Sequence, residues 1–459
     1  MPQFLPNELL QEIFKNDSQN IKFLHSCLLV NKSWSVNVIP ILYNPSVQEW
    51  CTLNLHGNDP SALQIPQKIF LFFANFSSGL ETLDFEFEIE CLYKLGVSLE
   101  LTNLMNANTF NVILSQDTKV SEWVSNVKNI FLNGAIVGRY DFSMVLYACH
   151  NIKTLKVRFP YYGSDHYFST LNKICQFIEL QQNLESFTLY KSEFHSKIGN
   201  ALNKHKCSLR HIEFFETEII RSSPLEWILN CEKLESLAFI DTAVLPWLFA
   251  IKQPNYANLK KLKCLIIKVY FRIPSDFIIN LIQSSNLKLQ VVEFDLLGDQ
   301  QYVHPFILEK MSYHCSNLTK LGVKIDAENI PTLLNLIKNC RKLEILEIYG
   351  NDKQLDVNDI LPELGLSLSH ELVELIIGAN WSFTHDGLLN FLKNSQHTTL
   401  YKVVFMYLDF INDDYLKVIA ENSMKSLKYI TFKDVTLANT EVGIGNASIW
   451  LKTSSMKCY

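Results

Sequence analysis

Four carboxylates alternate with apolar residues in Asp84-Phe-Glu-Phe-Glu-Ile-Glu90. Paired carboxylates at close quarters can serve general acid–base chemistry or hold a hard cation. Strict alternation, however, is the pattern of a half-exposed strand. Asp413 and Asp414 precede a helical apolar pattern that carries Leu416 and Ile419 inward, so they read as helix caps rather than metal ligands. His25 and Cys27 lie two apart with no second ligand pair nearby, and no Cys-x-x-Cys pair occurs, so no metal is expected. The sequence also lacks the phosphate-loop, dinucleotide, zinc-protease and nucleophile-elbow motifs. No catalytic residue and no cofactor is expected; the chain reads as a binding protein, not an enzyme.

The elements that would position binding residues emerge from a repeat. Apolar-x-x-apolar-x-apolar recurs as Val127/Ile130/Leu132, Ile152/Leu155/Val157, Leu184/Phe187/Leu189, Leu209/Ile212/Phe214 and Leu234/Leu237/Phe239. It continues as Leu289/Val292/Phe294, Leu318/Leu321/Val323, Leu343/Leu346/Ile348, Leu372/Leu375/Ile377, Leu400/Val403/Phe405 and Leu427/Ile430/Phe432. One more copy falls within 259–267, where Leu259/Leu262/Cys264 and Leu262/Leu265/Ile267 fit equally well. The mean spacing is about 27 residues. In Leu343-Glu-Ile-Leu-Glu-Ile348 the second and third apolar residues alternate with Glu347, which predicts a short strand. Helical patterns fill the intervals, as in 330–340, where Leu333, Leu334 and Ile337 share a face and Pro331 suits the first turn. One strand and one helix cannot hide their own apolar faces, so each unit must stack on the next.

Composition agrees with a folded chain. Of the 459 residues, 48% are hydrophobic and 19% charged, which excludes bulk disorder. A net charge of -6 gives no reason to expect nucleic acid as partner. No secretory signal and no apolar run of about 20 residues is visible, so a reducing cytoplasmic or nuclear setting without membrane contact is expected. Cys149, Cys231, Cys315 and Cys340 each stand three residues before the first apolar position of their repeat, and Cys207 two before. Small, weakly polar cysteine suits the packed corner between helix and strand. The array resembles the cysteine-containing leucine-rich repeats found in ubiquitin-ligase substrate receptors. It departs from their consensus three positions beyond the strand: Asn351 and Asn380 match, whereas Ser, Thr or Asp stands there in four repeats and an apolar residue or Pro in five.

The first 48 residues differ. Leu5-Pro-Asn-Glu-Leu-Leu-Gln-Glu-Ile-Phe14 begins an amphipathic helix, and two further apolar segments cover 24–34 and 36–43. Such a unit holds more large apolar side chains than it can bury alone, which argues for an interface. It resembles an F-box, whose Leu-Pro-x-Glu-Leu-Leu-x-x-Ile-Phe opening is matched from Leu5 to Phe14. The second F-box segment is matched by Leu29-Val-Asn-Lys-Ser-Trp34, and its close by Leu42-Tyr43. The loop at Asn16–Asn20 lacks the usual apolar residue. The resemblance implies docking to a Skp-type adaptor, and through it a cullin, by Leu5, Pro6, Leu9, Ile13, Leu28, Val30 and Trp34. The alternative is a helical cap on a stand-alone binding or inhibitor scaffold.

The expected architecture is therefore α/β: a three-helix module (1–48), an irregular junction with the first atypical repeats (49–125), a solenoid with a parallel concave sheet and outer helices (126–440), and a tail or cap (441–459). An unidentified target protein would lie on the concave wall, contacting Arg158, Tyr190, Phe215 and Tyr349. The wall reads as basic near Lys156 and Arg158 and acidic near Glu293 and Asp295, which suggests a dipolar target.

Overall fold

A computed structural model describes residues 127–433 apart from 134–148, 160–166, 220–224, 245–258, 271–273, 297–301, 351–353, 407–412 and 423–424. It also describes Ser125 and the short strands Thr82–Asp84 and Lys457–Cys458. The module at 1–48, with the seven residues expected to meet an adaptor, lies outside the described residues. So does the acidic run beyond Asp84.

One parallel sheet carries the architecture. Its strands are β1 (Thr82–Asp84), β2 (Asn129–Asn133), β3 (Thr154–Arg158), β4 (Ser186–Tyr190) and β5 (His211–Phe215). The pair β6 (Glu218–Ile219) adds to the side of β7 (Ser236–Val244). Then come β8 (Cys264–Val269), β9 (Val291–Leu296), β10 (Lys320–Lys324) and β11 (Ile345–Tyr349). β12 (Leu355–Asp356) and β14 (Trp381–Ser382) pair in a small sheet of their own, and β13 (Glu374–Gly378), β15 (Lys402–Met406), β16 (Tyr429–Lys433) and β17 (Lys457–Cys458) complete the main order. Apart from the short side pairs, each strand lies beside the next one in sequence, so the sheet grows one repeat at a time.

The apolar triplet accounts for this. Its first member is fully buried at Ile152, Leu184, Leu209, Leu234, Leu289, Leu318, Leu343, Leu372 and Leu400. The other two members bury alternately along each strand, and stack on their counterparts in the neighbouring rungs; Leu346, for example, lies between Leu321 and Leu375. The undecided copy is now fixed: Cys264 pairs with Ser236 and Leu265 with Leu237, so Leu262/Leu265/Ile267 is the triplet. Each rung begins with a fork, in which one carbonyl accepts two successive N–H groups of the next rung. Lys153 O thus receives Glu185 N and Ser186 N, both at 2.8 Å. Leu83 pairs with Ile130, so β1 joins directly to β2 across a connection longer than one repeat.

Helices occupy most of the intervals: α1 (Tyr167–Leu180), α2 (Ser196–Asn203), a 3-10 segment at Leu225–Asn230, α3 (Ser275–Ser284), α4 (Pro305–His314), α5 (Ile330–Asn339), α6 (Ile360–Ser367), α7 (His385–Asn394) and α8 (Asp413–Asn422). Neighbouring helices pack in sequence order as the strands do. At the α6–α7 contact, a Cβ on Gly365 would lie 2.8 Å from the Phe391 carbonyl oxygen, so only glycine permits that approach. In α5, Leu333, Leu334 and Ile337 are buried as the periodicity predicts. In α8 the inward positions are Tyr415 and Ile419, while Leu416 is half-buried. Tyr415 displaces it because its ring packs on Phe383 while its hydroxyl donates to the Phe383 carbonyl. The four corner cysteines are fully buried, and desolvation pushes the thiols of Cys149, Cys231 and Cys340 up to about 12, which removes them as nucleophiles. Cys207, one residue out of step, is exposed.

These observations define a leucine-rich-repeat-type solenoid.

Candidate protein-binding face

Alternation along each strand turns the first, third and fifth residues to the face opposite the helices. Lateral register then aligns them in three columns. The middle column runs Phe131, Lys156, Thr188, Glu213, Ala238, Ile266, Glu293, Gly322, Glu347, Ile376, Val404 and Thr431. The upper column includes Arg158, Tyr190, Phe215, Tyr349 and Gly378. Three of the four residues expected on the wall are thus brought onto adjacent rungs, and Tyr349 stands in the same column several rungs away.

The first cluster spans β3 to β5. Tyr190 and Phe215 stack with ring centroids 5.3 Å apart and planes inclined by 18°. The Lys156 ammonium sits 4.7 Å from the Tyr190 ring centre and 5.3 Å from that of Phe131. Lys191 also lies over Tyr190 and pairs with Glu216. The Thr188 hydroxyl donates to Glu213 at 3.1 Å. Among the described residues, neither Lys156 nor Arg158 has a carboxylate partner.

This platform ends in an unusual turn that three successive rungs share. Lys191, Glu216 and Asp241 each follow the upper-column residue with φ of 45°, 47° and 50°. The left-handed region costs an ordinary residue about 1–2 kcal/mol. The next residue in each rung carries a hydroxyl, and that hydroxyl offsets the cost. Ser192 Oγ donates to the Tyr190 carbonyl and accepts from Phe159 N, both at 2.7 Å. Thr217 Oγ1 lies 3.1 Å from the carbonyls of both Leu189 and Phe215, and Thr242 Oγ1 lies 2.9 Å from Phe214 O. The departures from consensus at these three positions therefore form a ladder of their own, with hydroxyls tying rung to rung. The sequence signal was the run of small hydroxyl residues at one repeat position.

The second cluster spans β8 to β11. Glu293 receives Lys268 and Lys320, each at 2.7 Å, and Lys320 also reaches Glu347 at 3.0 Å. Gly322 occupies the middle column between the two carboxylates. Burial works against the Glu293 charge, yet the hydrogen bonds from Lys268 and Lys320 outweigh it and hold the carboxyl below its usual range. Asp295 moves the other way, raised chiefly by burial. The Tyr349 hydroxyl donates to Glu347 at 3.0 Å, and burial together with that carboxylate raises its pKa. Its ring lies against Gly378, where a Cβ would meet Cδ1 at 2.6 Å. The acidic pole expected at Glu293 is thus cancelled by lysines from both neighbouring rungs, and the dipolar wall is corrected to a charged end and a neutralised one. The lysines were invisible to sequence reasoning because both reach Glu293 diagonally across the rungs.

A further ladder runs where the strands begin. Lys153 bonds Glu185 at 2.7 Å, Arg210 lies 3.7 Å from Glu185 and 2.8 Å from Glu235, and Lys263 bonds Glu235 at 2.9 Å. Hydrogen bonds from Lys153 and Lys263, respectively, lead the causes that lower the Glu185 and Glu235 carboxyls. Among the described residues no cluster of three or more His, Cys, Asp or Glu is placed to hold a metal, and no helix is long and apolar enough to cross a membrane.

Comparison with known proteins gives matches among solved structures. The chain is similar to the yeast crystal structure of a Rad7 and Elc1 complex, at 14% identity over 90% of this chain and 96% of that one, with a TM-score of 0.42. It is also similar to the leucine-rich repeat-containing protein LegL7 from Legionella pneumophila, at 12% identity over 73% and 93% of the two chains, with a TM-score of 0.33. No protein-family model matches the chain, and no curated protein matches it.

Proposed function

We propose that this chain is a target-recognition subunit of a Skp–cullin–F-box type ubiquitin ligase and has no catalytic centre of its own. The match of Leu5–Phe14 and Leu29–Trp34 to the F-box pattern carries the reading. Leu5, Pro6, Leu9, Ile13, Leu28, Val30 and Trp34 dock the adaptor, and the open face of the sheet holds a target protein. Such a receptor works by proximity, raising the local concentration of target lysines beside a carrier enzyme it never touches chemically. The stacked Tyr190–Phe215 pair, half-buried on the face, supports a binding role, since aromatics beside cations are the composition of interface hot spots.

The test is co-purification of the full chain with a Skp adaptor. Leu5→Asp combined with Ile13→Asp should abolish capture and leave the melting temperature of the solenoid unchanged. Undiminished capture would refute the docking assignment. A fall in solenoid melting temperature with no capture to lose would favour the helical-cap reading instead.

A further inference from the structure

Among the described residues, most of the charge on the β8–β15 part of the open face is paired internally. Glu293, Lys268, Lys320 and Glu347 neutralise one another, Glu374 holds Lys402 at 2.7 Å, and Lys191 holds Glu216. Lys156 and Arg158 stand apart: two cations two residues along β3, with no anion beside either among the described residues. The nearest carboxylates of the middle column, Asp84 and Glu213, each lie two rungs away, and Glu213 already accepts from Thr188. A flat aromatic surface adjoins these cations directly, because Tyr190 and Phe215 stack on the two rungs that follow.

We infer that this end of the face binds an extended acidic segment of a partner protein, through side-chain carboxylates on Lys156 and Arg158 and an aromatic or proline ring on the Tyr190–Phe215 platform. The inference deepens the receptor reading and names the chemistry of its target. Charge complementarity selects the occupant: a neutral or basic segment would leave both cations unpaired. Planar guanidinium at Arg158 suits a two-oxygen acceptor, while Lys156, held over the Tyr190 ring, acts as a point charge. Rung spacing sets the reading frame. Arg158 and Phe215 lie two rungs apart, roughly 10 Å, which about three residues of extended chain cover. The segment therefore carries its acid about three positions from its ring. Tyr349, with its hydroxyl bonded to Glu347 and its ring over Gly378, is structural within the neutralised half and falls outside this site.

The experiment is fluorescence polarisation with the full-length chain and fluorescein-labelled decapeptides bearing two Glu residues three positions before a Tyr. Counterparts replace Glu by Gln, Lys or phosphoserine. The Glu peptide should bind most tightly, with affinity falling as salt rises. Lys156→Gln and Arg158→Gln should each weaken it about fivefold, and Tyr190→Ala about tenfold. Arg341→Gln, an exposed cation off this face, should change nothing. Arg158→Glu with Lys156→Glu should reverse the preference toward the Lys peptide. Equal binding of the Gln peptide, or undiminished binding by a Lys156→Gln/Arg158→Gln protein with unchanged melting temperature, would overturn the inference. A phosphoserine peptide bound more than tenfold tighter than the Glu peptide would overturn the carboxylate assignment. Because the assay contains no adaptor, its outcome is separate from that of the co-purification.

Discussion

Replacing Lys320 by Met removes the charge that joins three rungs while keeping most of the aliphatic stem. Lys320 donates charge-assisted hydrogen bonds to Glu293 at 2.7 Å and Glu347 at 3.0 Å, with side-chain exposures of 27%, 11% and 14% for the three groups. Such bonds contribute about 1.5–3 kcal/mol each when largely withdrawn from water. Their plain sum overstates the loss, because Glu293 retains Lys268 and Glu347 retains the Tyr349 hydroxyl. The expected destabilisation is about 2–3 kcal/mol at neutral pH, read as a shift in urea midpoint at unchanged slope. Titration gives the effect its signature. Glu293 is held below its usual range, so its contribution is complete above the unfolded carboxyl value of about 4.3 and fades as pH falls through the folded value. Burial disfavours the Lys320 ammonium, but its two carboxylate partners prevail and raise its pKa, so its contribution is complete below about 10.4 and is lost above that. The deficit of the variant should therefore be flat between about pH 5 and 10 and shrink at both extremes. A loss below about 0.5 kcal/mol, or one that does not depend on pH, would refute the network.

Two other substitutions probe the scaffold. Leu346→Ala empties a fully buried site between Leu321 and Leu375 and should cost about 2–5 kcal/mol in chemical unfolding, whereas a cost under about 0.5 would mean that the rung is misplaced. Thr217→Val keeps the shape but deletes the hydroxyl shared by Leu189 and Phe215, and should cost about 1 kcal/mol with a small drop in melting temperature; no change would deny the hydroxyl ladder its role.

The scaffold was legible because burial in this fold is a local pattern. A triplet such as Leu343, Leu346 and Ile348 announces its strand whatever lies beside it, and all three are fully buried. The copy near Leu262 was ambiguous for a physical reason. Leu259, Leu262, Leu265 and Ile267 are all fully buried, so composition offers two frames, and lateral pairing of Cys264 with Ser236 selects one. Charge was legible in sign but not in consequence. Glu293 was visible as an acid, yet its partners come from β8 and β10, and repeats of unequal length conceal which residues face each other. The φ > 0 turns at Lys191, Glu216 and Asp241 escaped notice because no glycine or asparagine marks them. The residues at 1–48, on which the proposed adaptor docking rests, lie outside the described part of the chain.

The ladder from Lys153 to Lys263 constrains how this chain can change length. Its signs alternate through five consecutive rungs: plus at Lys153, minus at Glu185, plus at Arg210, minus at Glu235, plus at Lys263. The backbone repeats with every rung, but the charges repeat with every second one. Excising a single inner rung would set Lys153 beside Arg210, or Glu185 beside Glu235, and duplicating one would set a charge beside its own copy. Like charges facing each other across strands are destabilising. Growth or loss by rung pairs preserves the alternation, so this stretch of the array has a parity that its hydrophobic core does not impose.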